Sequence, residues 1–220
     1  MRTIIFSDVH GNLPALEAML AHAGPADRYV CLGDVVNYGP WSDACAERIA
    51  ALPACDRLMG NHDQAFIDRR YPGEHPVARA FFDFCQPRFH SAHLLSSYRD
   101  NCEVGTFLAQ HTLDGRYVYA DTEVDCDRDY LIGHSHHPFA RAINGHRLVN
   151  VGSVGQNRRN LRICSYAVHG PGPSDVQLFH TGYDVDLLIS EMRRLGYPEI
   201  CLNYYLGKLI ESPQTSFFSP

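Results

Sequence analysis

Lysine is nearly absent from this chain: of its 19 basic residues only Lys208 is a lysine, and the others are arginines. There is no basic run, and the formal net charge is −6. With a pI near 6.1, the chain lacks the basic face that wrapping polymeric nucleic acid requires. A small phosphorylated substrate held by a few local groups remains compatible with that balance. Long apolar runs are missing as well. No stretch approaches the ~18 apolar residues of a membrane span, so no membrane partner is expected. In the opening Met1–Asp8, three apolar residues are followed at once by Ser7 and an acid, too short for the apolar region of a signal peptide. A cytoplasmic location is therefore the expectation. The eight cysteines (31, 45, 55, 85, 102, 126, 164 and 201) never form a CxxC pair, which argues against a zinc ribbon. In a reducing compartment they read as free, buried thiols rather than four disulfides.

What is present is ordinary globular composition: 220 residues, 45% apolar and 20% charged. That length suits one domain with some elaboration and a sizeable core. The first half alternates short apolar strands with amphipathic helices. Thr3–Phe6 reads as a strand, and Asn12 as the cap of a helix with Pro14 in its first turn and Leu13, Leu16, Met19 and Leu20 at helical spacing. Tyr29–Leu32 is a second strand, Ser42 caps a helix reaching Leu52, and Arg57–Met59 is a third strand. This βαβαβ rhythm predicts a parallel sheet with covering helices. Residues 64–101 break the rhythm with prolines, aromatics and helical runs, and read as a helical insertion over the end of the sheet. Short strands return at Thr106–Ala109, Arg116–Ala120, Tyr130–Ile132, Arg147–Asn150, Ile163–Val168 and Val176–Phe179. The stretch Asp184–Leu195 is an amphipathic helix.

Five segments place metal-binding residue types just past a predicted strand: Asp8-x-His10, Gly33-Asp34, Gly60-Asn61-His62-Asp63, His111 and Gly133-His134-Ser135-His136. Open α/β sheets bind ligands outside the carboxyl ends of their strands, so these side chains are expected at one edge. Alternation along an extended chain would point Asp8 and His10 toward one ion. His134 and His136 could serve two neighbouring ions, and the two oxygens of Asp34 could bridge them. A donor set of Asp, Asn and His without Cys suits Mn, Fe or Zn, and also Co or Ni, without choosing among them. Two divalent cations against two carboxylates leave a charge of about +2, which attracts a phosphate oxyanion.

These ordered motifs resemble the calcineurin-like binuclear metallophosphoesterases. The likeness runs from Asp8 to His136 and on through Asn150-Val151-Gly152-Ser153-Val154-Gly155-Gln156, and together with the turn Asn37-Tyr38-Gly39-Pro40 it is closest to the small prokaryotic phosphodiesterase subgroup. The resemblance implies an α/β fold, a four-layer α-β-β-α sandwich with two facing mixed β-sheets. It implies one domain over 1–220, with a cap-like insertion at about 64–101 and a helical tail at about 184–211. It further implies two divalent metal ions. Asp8, His10, Asp34 and His136 would hold the first, and Asp34, Asn61, His111 and His134 the second. A hydroxide shared by the metals would be the nucleophile and His62 the general acid. Asn37 and Tyr38 would meet substrate. The implied activity is hydrolysis of a phosphodiester or nucleotide pyrophosphate-type bond in a small phosphorylated substrate. A small-metabolite phosphomonoesterase and a non-catalytic scaffold are the alternatives, and an oligomer is left open. Two departures stand out. Thr112 follows His111 where the family has glycine. The segment at Asn37-Tyr38-Gly39 also lacks the phosphate-gripping arginine and the histidine-orienting carboxylate of the protein serine/threonine phosphatases. Asp63 is a candidate substitute for that carboxylate, and Arg158 and Arg159 are candidates for gripping a distal phosphate.

Overall fold

The computed structural model describes residues 1–211. The chain opens with β1 (Thr3–Phe6), α1 (Leu13–Ala23), β2 (Arg28–Cys31), α2 (Ser42–Ala50) and β3 (Cys55–Arg57). Three helices follow, α3 (Asn61–Asp68), α4 (Pro76–Cys85) and α5 (Ala92–Leu95). Then come β4 (Asn101–Val104), β5 (Phe107–Gln110), β6 (Asp129–Ile132), β7 (Phe139–Ile143), β8 (His146–Asn150), β9 (Ile163–His169) and β10 (Val176–Gly182). The described chain ends with α6 (Val185–Arg194) and α7 (Glu199–Glu211). No described helix is long and apolar enough to cross a membrane.

The strands form two five-stranded mixed sheets, ordered β10-β9-β1-β2-β3 and β4-β5-β6-β8-β7. In the first, β1, β2 and β3 run parallel and β9 pairs with β1 antiparallel. In the second, β5, β6 and β8 run parallel between antiparallel edges. Strand alternation explains why the sheets face each other. On β1, Ile4 and Phe6 join the helices of α1, α2 and α6 in one core, whereas Ile5 turns the other way. Ile5, Val30 and Leu32 meet Phe107, Ala109, Leu131 and Val149 in a second core between the sheets. The outer face of the second sheet supplies Ile132, Phe139 and Leu148, which pack on Leu113, Val118 and Cys126. That last layer is the segment 112–128, which has turns and no helix.

Several local expectations shift. Arg116–Ala120 is not a strand, although its residues favour one. The Val118 carbonyl accepts from Ser135 Oγ and the Ala120 carbonyl from Arg141, so side chains take the place of a neighbouring strand. The third strand lies two residues earlier than predicted, because Met59 N turns away to the Arg99 carbonyl. The α2 cap position is Trp41, and Ser42 instead accepts from Asn37 N. The edge strands β4 (Asn101–Val104) and β7 (Phe139–Ile143) add to the strands expected from the sequence. Asn12 does cap α1, accepting from Ala15 N at 3.3 Å. All eight cysteines are free, seven of them buried.

Ile5 is fully buried between the two sheets. Ile5→Ala is expected to cost about 3 kcal/mol, the usual size for a large-to-small core change, as a lower urea midpoint with unchanged slope.

Candidate metal centre

The predicted site residues lie where the strands end. Asp8 and His10 follow β1, Asp34 follows β2, and Asn61 and His62 open α3 just after β3. His111 follows β5, and His134 and His136 follow β6, so both sheets contribute. The backbone does not converge by strand alternation, as the sequence suggested. Asp8, His10, Asp34, His134 and His136 all have positive φ, between 49° and 65°, and Asn37 and Tyr38 do as well. Side-chain-bearing residues adopt this region rarely, and clusters of it mark functional sites. Two glycines make the close approach possible. Gly33 (φ 106°) and Gly60 pack backbone to backbone, and a Cβ on Gly60 would overlap the nitrogen and carboxylate of Asp34.

Two clusters result. Asp8, His10 and His136 present ligand atoms within 4.8 Å of one another, as do Asp34, His111 and His134. In the first, Asp8 Oδ1 lies 3.2 Å from His136 Nε2 and 3.8 Å from His10 Nε2. In the second, Asp34 Oδ2 lies 3.3 Å from His111 Nε2. The same oxygen is 3.9 Å from His10 Nε2, so Asp34 stands between the clusters. Asn61 Oδ1 is 3.2 Å from His111 Nε2, on the solvent side. His111 keeps its place despite Thr112, whose hydroxyl bonds the Arg116 carbonyl.

The protonation pattern tests whether these donors suit cations. His10 Nδ1 faces the Val36 carbonyl at 3.1 Å, His111 Nδ1 the Leu32 carbonyl at 2.9 Å, and His136 Nδ1 the Gln156 carbonyl at 2.9 Å. A carbonyl requires a proton on the nitrogen it faces. The neutral tautomers therefore leave lone pairs on all three Nε2 atoms. Yet His10 Nε2 lies 3.1 Å from His136 Nε2, and His111 Nε2 lies 3.2 Å from His134 Nδ1. Converging lone pairs, with Asp8 Oδ1 buried and unpartnered beside them, fit a donor set for metal ions.

The electrostatics agree for His10 and His134. Burial and the neighbouring His136 push His10 down to about 3, and burial with His111 pushes His134 down to about 4. Both stay neutral near pH 7, as ligation requires. Burial alone would raise Asp8 and Asp34, but the surrounding imidazoles hold both carboxyls below their ordinary range. Burial would lower His111, but Asp34 outweighs it and raises His111 to about 9.

His62 belongs to neither cluster. Its ring meets His10 edge-on at 5.2 Å, and its Nδ1 lies 3.0 Å from the Asn37 side-chain amide. Its backbone N–H donates to Asp34 Oδ1 at 2.8 Å. The suggested His62–Asp63 pairing does not form. Asp63 instead accepts from the N–H groups of Asp34, Val35, Val36 and Gly60, tying the Asp34 turn to the start of α3. Tyr38 is buried between His10 and His62, at 4.8 and 5.2 Å. The segment Asn150–Gln156 shapes loops: Asn150 donates to the Gly133 carbonyl, and Ser153 Oγ donates to that of Asp8. His137 packs on Tyr119. Sequence reasoning missed two tyrosines, Tyr71 stacked over His62 at 6.1 Å and Tyr117 stacked over His134 at 4.1 Å. Neither spacing nor composition singles them out.

The depressed histidines fix the acid response of the metal-free protein. Unfolded imidazole titrates near 6.5, so the stability held by neutral His10 and His134 is complete above that value. It is lost as pH falls toward their folded values. The raised His111 contributes its full share below 6.5 and does not offset this loss, whereas Asp63, raised to about 7, offsets only part of the combined loss from the two histidines. The melting temperature of metal-free protein is expected to fall steadily from pH 6.5 to about 4, measured by calorimetry. A flat profile over that window would contradict the assignment.

Relatives share this architecture. A metallophosphoesterase from Sphaerobacter thermophilus is 28% identical with a TM-score of 0.77, over 94% of this chain and 99% of that one. A hypothetical protein from Pyrococcus horikoshii has the same fold, with a TM-score of 0.74 at 16% identity over 92% of this chain and 96% of that one. An uncharacterised protein of Methanocaldococcus jannaschii is 24% identical over 89% of this chain and 93% of its own length. The sequence profile of the calcineurin-like phosphoesterase superfamily domain matches residues 1–170. With most of its length matched and the strand-end histidines and aspartates gathered in two clusters, the chain belongs to the calcineurin-like phosphoesterase superfamily.

Proposed function

We propose that this chain is a binuclear metal-dependent phosphoesterase that cleaves a phosphodiester or a nucleotide pyrophosphate-type bond in a small substrate. One observation carries the reading: two clusters of buried ligand atoms are joined by Asp34, with His62 beside them and outside both. Asp8, His10 and His136, with Asp34, would hold one cation, and Asp34, Asn61, His111 and His134 the other. Mn, Fe or Zn suits this donor set best, and Co or Ni also fits. Bound cations would supply charge neutralisation for the phosphoryl oxygens and a lowered pKa for water.

The chain's own residues supply the rest. Asn37 Nδ2 donates to His62 Nδ1, which leaves the proton of neutral His62 on Nε2. In hydrolysis a P–O bond forms to water and the P–O bond to the leaving group breaks. In the imidazolium form His62 gives its Nε2 proton to the departing oxygen and is left as the neutral imidazole, whose Nδ1 faces the Asn37 amide. Asn37 positions His62 without adding charge, and Tyr38 walls the site between His10 and His62. On this reading residues 1–220 are one cytoplasmic domain. Residues 64–101 cap the site through Tyr71 over His62 and Phe81 against Tyr38 at 4.7 Å.

Purified protein reconstituted with each cation is expected to hold about two ions and to turn over a chromogenic diester faster than a monoester. Turnover of the monoester alone would make it a phosphomonoesterase, and neither metal nor turnover would leave a scaffold. His62→Ala is expected to lower kcat by about 10²–10⁴-fold, the usual contribution of general acid catalysis, with metal content unchanged. Asp34→Ala is expected to lose both metal and activity. Full activity in either variant contradicts the assigned role.

A further inference from the structure

Arg158 lies just past the loop that closes over the first cluster, two residues after Gln156, whose carbonyl holds His136. Its Nε is buried and has no hydrogen-bond partner. Among the described residues, no carboxylate lies within salt-bridge range of its guanidinium. Its neighbours are phenols: Tyr38, Tyr117, Tyr119 and Tyr204 all feel its charge. Two of these rings touch the candidate metal centre from different sides. Tyr38 lies against His10 and His62, and Tyr117 is stacked on His134. The cation therefore shares two of its tyrosine neighbours, Tyr38 and Tyr117, with the histidines of the candidate centre.

A half-buried guanidinium with an unsatisfied N–H is costly unless an anion completes it. Its planar fork matches the oxygens of a phosphate, and phenol hydroxyls beside it can donate to the same group. The clusters account for the phosphoryl group under attack, and Arg158 belongs to neither of them. From this placement we infer that Arg158 grips a second phosphate of the substrate, next to the one attacked, and so selects phosphoanhydrides over substrates with a single phosphorus. This rests on the phosphoesterase reading and narrows it. Arg159 is exposed and is not part of this arrangement.

The test compares wild type with Arg158→Ala and Arg158→Lys in the reconstituted enzyme. The probes are diadenosine tetraphosphate and bis(p-nitrophenyl) phosphate, which has one phosphorus. For the alanine variant, KM for diadenosine tetraphosphate is expected to rise about 30-fold or more, with kcat within about 3-fold. Both constants for the single-phosphorus ester should stay within about 3-fold of wild type. The lysine variant keeps charge but loses the fork and should fall between. An equal loss on both probes, or no loss on either, overturns the inference. Calorimetric binding of inorganic tripolyphosphate to the metal-free protein reads the same contact without turnover. It is expected to weaken about 10-fold or more in Arg158→Ala, and unchanged binding, or none in wild type, counts against the inference. If wild type cleaves neither probe with any cation, the phosphoesterase reading fails, and the calorimetric comparison still decides the role of Arg158.

Discussion

Lone pairs that converge at the strand ends govern this molecule. Three imidazoles spend their Nδ1 protons on backbone carbonyls, and their remaining nitrogens point at one another or at carboxylate oxygens. Without a cation this arrangement is repulsive, so the surrounding chain must force it. That explains why positive φ gathers here. Of the eleven described non-glycine residues with positive φ, seven are Asp8, His10, Asp34, Asn37, Tyr38, His134 and His136. Each costs of order 1 kcal/mol or more, and rigid sheets on both sides supply the restraint.

That restraint comes from polar residues that are easily mistaken for catalytic ones. Asp63 gathers four backbone N–H groups and locks the turn at Asp34 to the N-terminus of α3. Burial and the charge of Asp34 push its carboxyl upward against those donors. Asn150 ties the β6 turn to the strand beside it, and Ser153 ties the turn after β1 to the following loop. A site of this kind needs its outer ring of hydrogen bonds as much as its ligands, because ligand orientation is set there.

Most of the architecture was legible in the sequence. The parallel strands declared themselves through continuous apolar runs, and the candidate ligands through acids and histidines placed after those runs. The structure gathers those acids and histidines into two clusters, but not by the expected mechanism of convergence. Alternation along an extended chain was the expected reason, whereas left-handed turns do the work, and φ leaves no periodic trace. The strand expected at Arg116–Ala120 failed for a related reason: strand-favouring residues do not make a strand when Ser135 and Arg141 satisfy its carbonyls. Asn37 and Tyr38 were legible only through family likeness. Tyr71 and Tyr117 were not legible, since long-range stacking depends on which loops meet.

The turn Asn37-Tyr38-Gly39 links these points. A carboxylate facing His62 Nδ1 would stabilise the imidazolium and raise its pKa. An amide does not, and burial lowers His62 instead. The arginine missing from the same turn is a matching difference. Tyr38 packs against His10 and His62 there, and the cation that acts on Tyr38 comes from another loop, as Arg158.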